Sequence, residues 1–153
     1  MKNKILLSSP HMGGSEQKYI KEAFDTNWIV PMGENINRFE NDLEEYIGCN
    51  SKISCVSSGT SAIHLSLVLA GVKRNDEVIC QSMTFSASAN PILYLGAKPV
   101  FIDSEQDTWN MCPIALEEAI LERISLGIKP KAITVVHLYG MPAKIEAIVA
   151  ISQ

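Results

Sequence analysis

The sequence predicts a layered α/β fold in which a mostly parallel sheet is covered by helices on both faces. Three observations predict it. Short apolar runs alternate with segments of helical period, the runs are continuous rather than alternating polar and apolar, and no internal repeat or low-complexity segment interrupts the series.

The elements follow in order. In residues 15–24 the apolar positions Tyr19, Ile20, Ala23 and Phe24 keep a helical period, and Ile36, Phe39, Leu43, Tyr46 and Ile47 do so again over residues 36–47. Between these two amphipathic helices, residues 27–33 (NWIVPMG) carry Pro31 and Gly33 and predict an irregular connection. Residues 53–56 predict a buried strand. It is followed by Ser57-Ser58-Gly59-Thr60 and by a helix over residues 61–71, apolar on nearly every face and so expected to be buried on both sides. The alternation continues with a strand at 77–81, a helix within 86–95, a strand at 99–102, a helix at 113–126, a strand at 132–136 and a last helix from Pro142.

Composition narrows the function classes. With 153 residues, 46% of them hydrophobic and 20% charged, the chain has the size and balance of one globular domain. Its apolar runs are too short to span a bilayer, and Ile5, Leu6 and Leu7 fall short of a secretory h-region, so no membrane role and a cytoplasmic location are expected. The net charge of −4 and the scattered 13 Lys and Arg residues argue against nucleic acid as a partner. Cys49, Cys55, Cys80 and Cys112 are widely spaced without a CxxC pair. They are expected to be reduced core thiols rather than metal ligands or disulfides.

Two segments carry chemistry. At the expected strand-to-helix junction SSGTSAIH, Gly59 permits close backbone approach, while Thr60 and Ser61 offer hydroxyls and N–H groups at a helix N-terminus, where the dipole favours an anion. The same residue types also make an ordinary N-cap. A P-loop ending, a dinucleotide fingerprint and a GxSxG elbow are all missing. The second segment, QSMTFSASANP, follows the next strand, and in a parallel sheet such loops share the edge where ligands bind. Phe85 is placed either over an aromatic ligand whose phosphate sits at Thr60, or in the core.

SSGTSAIH, NDEVICQSMTFSASANPIL, GAKPVFIDSEQDTWN and VVHLYG, in this order and spacing, resemble the DegT/DnrJ/EryC1/StrS aminotransferases over essentially the whole chain. NWIVPMG, CQSMTF and FIDSEQDTWNM look most similar to the members of bacterial exopolysaccharide and glycan pathways. The resemblance implies the aspartate aminotransferase fold (fold type I) with pyridoxal 5′-phosphate (PLP) as cofactor. It further implies a homodimer that converts a nucleotide-linked keto sugar to an amino sugar with glutamate as the usual donor. Residues 1–153 would then be part of the PLP-binding large domain, with a helical segment at 1–50 and αβ layers at 51–153, and without the C-terminal small domain.

By resemblance, Gly59, Thr60 and Ser61 hold the cofactor phosphate and Phe85 stacks on its pyridine ring. Trp28, Ile29 and Pro31 border the sugar site in the family, often across the dimer interface, and plain packing explains each of them as well. Asp103, Thr108 and Asn110 belong to a turn read as structural, and His137 is expected to be a hydrogen-bonded core histidine. PLP chemistry also needs a Schiff-base lysine and an aspartate at the ring nitrogen. The family carries both downstream of the helix that begins near Pro142, the lysine after a Ser-x-x-Lys pattern. Lys73, Lys98, Lys129, Lys131 and Lys144 are expected in turns or at the surface. These 153 residues are therefore expected to be inactive on their own. A non-catalytic phosphate-binding module and a sugar dehydratase of the same family, with histidine in place of the lysine, are the alternatives.

Overall fold

The computed structural model describes residues 9–48 and 50–153, which fall into two compact units, one ending at Cys55 and the other spanning Val56–Gln153. The expectations for Ile5, Leu6, Leu7 and Cys49 lie outside the described residues.

In the first unit, α1 (Glu16–Asp25) and α2 (Glu34–Ile47) form where the apolar period predicts helices. Neither buries a residue within this chain; Tyr19, Ile20, Phe24, Phe39, Tyr46 and Ile47 are all exposed. The expected strand at 53–56 does not form. Its N–H groups at Ile53 and Cys55 donate to the carboxylates of Glu44 and Glu40 on α2, at 3.0 and 2.6 Å, in place of a neighbouring strand.

The second unit is built on a three-stranded parallel sheet in the order β2-β1-β3, with β1 at Glu77–Gln81, β2 at Lys98–Ile102 and β3 at Ala132–Thr134. β1 is central and every residue in it is buried, the apolar Val78, Ile79 and Cys80 as well as the polar Glu77 and Gln81 at its ends. Its side chains alternate between two cores. Val78 and Cys80 pack with Leu67, Val72, Ile92 and Ala97 under α3 (Gly59–Leu69) and α4 (Asn90–Tyr94). Ile79 packs on the opposite face with Ile102, Met111, Leu116, Ala143 and Ile148 under α5 (Pro113–Ser125) and α6 (Ile145–Ile151).

Crossover handedness explains the two faces. The connection from β1 to β2 steps one way along the sheet and that from β2 to β3 steps back past β1, so right-handed crossovers put α4 and α5 on opposite sides. The loop leaving β1 thus turns to one face, while those leaving its neighbours turn to the other. The carboxyl end of β1, where these exits diverge, is the usual ligand position in such sheets.

α3 departs from expectation. Only Leu67 is buried, and Leu65, Val68 and Leu69 stay exposed, because α3 packs on α4 and the 86–88 turn along one side and nothing within the unit covers the other. Among the described cysteines only Cys80 is a core thiol, pushed up to about 11 by burial; Cys55 is exposed and Cys112 half-buried. Among the described residues no helix is long and apolar enough to cross a membrane, and no group of His, Cys, Asp and Glu is arranged to hold a metal.

Candidate active site

α3 begins where the chain leaves an extended Ser58. The Ser58 hydroxyl accepts the N–H of Ser61 at 3.2 Å and lies 3.0 Å from the Ser61 hydroxyl. One of the first-turn donors is therefore capped internally. The N–H groups of Gly59 and Thr60, in the first two helical positions, have no acceptor within the helix and face outward. Space above Gly59 is open, since a Cβ built there would meet nothing within 4 Å. Two free N–H groups, the hydroxyls of Thr60 and Ser61 and the positive end of a helix dipole make a cradle for an anion.

The second component is the loop that leaves β1. The N–H of Ser82 donates to Ile102 O at 2.9 Å, extending the ladder to β2 by one step, and the Thr84 and Ser88 hydroxyls lie 2.9 Å apart. Phe85 follows in an extended conformation at the start of the 86–88 turn and is 85% exposed. Phe85 belongs to neither core cluster of the described residues, and within them its ring is uncovered. Because the 86–88 turn packs against α3, cradle and ring belong to adjoining elements.

The loops after β2 and β3 are locked by a side-chain network of which the sequence did not single out Glu105. Glu105, 9% exposed, accepts the N–H groups of Asp107 and Thr108 and the Thr108 hydroxyl, and pairs with Lys144 Nζ at 2.8 Å. The Lys144 ammonium and these hydrogen bonds hold its carboxyl well below the usual range, at about 2. Lys144, bonded to both Asp107 and Glu105, is shifted upward in turn. Buried Asn110 accepts Leu138 N–H at 2.8 Å and donates to Met141 O at 2.9 Å, tying the turn after β2 to the segment after β3. This is the structural role expected of the turn containing Asp103, Thr108 and Asn110.

His137 is exposed rather than in the core. It is hydrogen-bonded, however, and its Nδ1 accepts the Ala143 N–H at 2.9 Å, which in the neutral ring leaves the proton on Nε2. Lys73, Lys98, Lys129 and Lys131 are exposed, and Lys144 is engaged with the two carboxylates. The Ser-x-x-Lys spacing does occur, at Ser15 and Lys18. There it opens α1, upstream of every motif that the pattern should follow.

In the first unit Trp28 and Ile29 line an apolar groove of about 600 Å³ between α1 and α2, together with Val30 and Ile36. Pro31 is exposed and outside that lining. The Trp28 indole donates to Met32 O at 2.7 Å and lies over Gly33, where a Cβ would fall 2.7 Å from the ring.

A three-stranded parallel sheet with helices on both faces matches the N-terminal part of solved PLP-dependent sugar aminotransferase structures. The family model for DegT/DnrJ/EryC1/StrS aminotransferases matches residues 10–153, and the chain belongs to that family. It is 56% identical over 151 residues to EpsN of Bacillus subtilis (strain 168), described as a pyridoxal phosphate-dependent aminotransferase, covering 99% of this chain and 39% of that protein. To the GDP-perosamine synthase of Escherichia coli O157:H7 it is 40% identical, covering 97% of this chain and 39% of the synthase. The PLP form of Spr1654 from Streptococcus pneumoniae, described as a sugar aminotransferase, superposes with a TM-score of 0.80 at 30% identity, over 97% of this chain and 36% of that one. The E. coli GDP-4-keto-6-deoxy-D-mannose-3-dehydratase with bound hydrated PLP gives 0.81 at 26% identity, over 95% and 37%. The chain thus spans about two fifths of the length of the relatives it matches.

The family uses PLP, and the residues present fit it. The open, unpaired N–H groups at Gly59 and Thr60 suit its phosphate, and the exposed Phe85 suits its ring.

Proposed function

We propose that the protein is a PLP-dependent aminotransferase that converts a nucleotide-linked keto sugar to an amino sugar, with glutamate as donor, in polysaccharide or glycan biosynthesis. It acts as a cytoplasmic homodimer. The observation that carries this reading is the anion cradle at the start of α3 with the uncovered Phe85 on the adjoining loop. Similarity to a GDP-perosamine synthase and to Spr1654, described as a sugar aminotransferase, supports the sugar substrate.

When bound, PLP supplies an electron sink for bond cleavage next to the amine nitrogen. The chain's own residues bind and orient. The N–H groups of Gly59 and Thr60 and the hydroxyls of Thr60 and Ser61 neutralise the phosphate, and Phe85 covers one ring face. Trp28, Ile29 and Pro31 are proposed for the sugar, Trp28 and Ile29 from the groove wall and Pro31 from beside it. No lysine among these residues stands where the resemblance implies the cofactor-attaching one, so the 153-residue segment provides binding without amino transfer.

Replacing Thr60 and Ser61 together by alanine in the full-length protein is expected to weaken PLP binding by roughly 3 kcal/mol or more, the yield of two hydrogen bonds to a charged group. Unchanged PLP occupancy, titrated by absorbance, would overturn the assignment. The likeness to the dehydratase favours a second reading, elimination from the same cofactor site. A lysine at the cofactor-attaching position of the full-length protein selects amino transfer, and a histidine there selects dehydration.

A further inference from the structure

Gln81 is the last residue of β1 and is fully buried, a costly place for a primary amide unless both of its ends are paired. Both are. Its Nε2 donates to Met83 O at 3.0 Å, inside the loop that leaves β1, and its Oε1 accepts the N–H of Val136 at 3.1 Å, just past the end of β3. By strand alternation Gln81 lies on the same side as Ile79, the side of α5 and α6, whereas the loop it holds turns toward α3 and α4. The amide therefore sits where neighbouring exits diverge and bridges two of them. Two residues beyond Met83 comes Phe85, whose ring is almost wholly exposed and gains nothing from core packing to fix it.

We propose that Gln81 is a positioning residue for the ring-binding half of the cofactor site: its amide sets the loop carrying Phe85 by clamping that loop to the exit of β3. The proposal rests on the PLP reading of the cradle and of Phe85. The phosphate half, at the start of α3, does not depend on this clamp, because its donors are ordered by the helix itself.

That independence supplies the test. In the full-length protein, freed of any bound cofactor, affinities for inorganic phosphate and for pyridoxine 5′-phosphate are measured by calorimetry. Pyridoxine 5′-phosphate carries the ring and phosphate but no aldehyde to react with lysine. Gln81→Met, nearly the same shape without the amide, should leave phosphate affinity within about twofold and lower that for pyridoxine 5′-phosphate about five- to tenfold, the scale of one ring-stacking contact. The induced circular dichroism of the bound ring should fall with it, and amide exchange at Val136 should speed up. Gln81→Glu keeps the acceptor for Val136 and loses the donor to Met83; it should show the same selective loss, and it decides the matter if the methionine variant does not fold. Equal affinities of variant and unmodified protein for both ligands would overturn the clamp, as would failure of both variants to fold, which would make Gln81 a stability residue only. If the unmodified protein binds neither ligand, the cofactor reading itself falls, and the proposal with it.

Discussion

An 85% exposed phenylalanine contributes little to folding, so Phe85 separates cofactor binding from stability more cleanly than any other residue of the site. Stacking beyond simple burial is worth about 0.5–1.5 kcal/mol. Phe85→Leu in the full-length protein is therefore expected to weaken PLP retention by that amount and to shift its absorption spectrum, while the thermal midpoint stays where it was. Phe85→Trp should be tolerated. A leucine variant that melts early with unchanged PLP affinity would return Phe85 to a packing role. Ser58 shows the same logic from the other side. Its hydroxyl caps α3 through Ser61, and because that cap engages neither the N–H of Gly59 nor that of Thr60, an N-cap and the proposed anion cradle are compatible in SSGTS.

Among the elements, the turn between β2 and α5 depends most on charge. The carboxyl of Glu105 is depressed to about 2 from an ordinary 4.5 by Lys144 and by the Thr108 and Asp107 donors. A group whose folded value is depressed gives stability that is fully present above its unfolded value and is lost as pH falls through the folded one. Denaturation measured from pH 6 down to pH 2 should thus show a loss of stability between about 4.5 and about 2 that Glu105→Gln removes. An identical acid limb in that variant would assign the loss elsewhere. Only part of this network was legible in the sequence: the turn of Asp103, Thr108 and Asn110 is expected there as structural, whereas Glu105 and Gln81 look like ordinary polar residues. Their distant partners are fixed only by the fold; Gln81 and Val136 are 55 residues apart. What the sequence does carry is whatever burial on two faces imposes. The limits of β1 match expectation and β2 begins one residue early, whereas residues 53–56, equally apolar, form no strand because the carboxylates of α2 take their N–H groups. Of the two proposed site segments, only the loop carrying Phe85 follows a strand of the sheet as the sequence predicts; Gly59, Thr60 and Ser61 open α3 after residues that form no strand.

For the molecule as a whole, the described residues leave much apolar surface without partners. α3 exposes Leu65, Val68 and Leu69, α6 exposes Ile145 and Val149, and both outer strands of the sheet, β2 and β3, have one unpaired edge. Ile148, which the period of α6 would place with Ile145 and Val149, is instead 2% exposed in the α5 and α6 core, so the open face of that helix is narrower than its sequence suggests. Uncovered apolar helices and strand edges promote association between copies. The 153-residue chain produced alone is accordingly expected to aggregate. With no amine held against the ring, added PLP should bind near Thr60 only non-covalently, or else react at scattered surface lysines such as Lys73, Lys129 and Lys131. Borohydride reduction followed by peptide mapping should then show low, dispersed labelling, and no amino group should pass from glutamate to a nucleotide-linked keto sugar. Stoichiometric labelling of a single lysine together with measurable turnover would show that these residues form a complete catalytic site, and the division of labour proposed here would have to be abandoned.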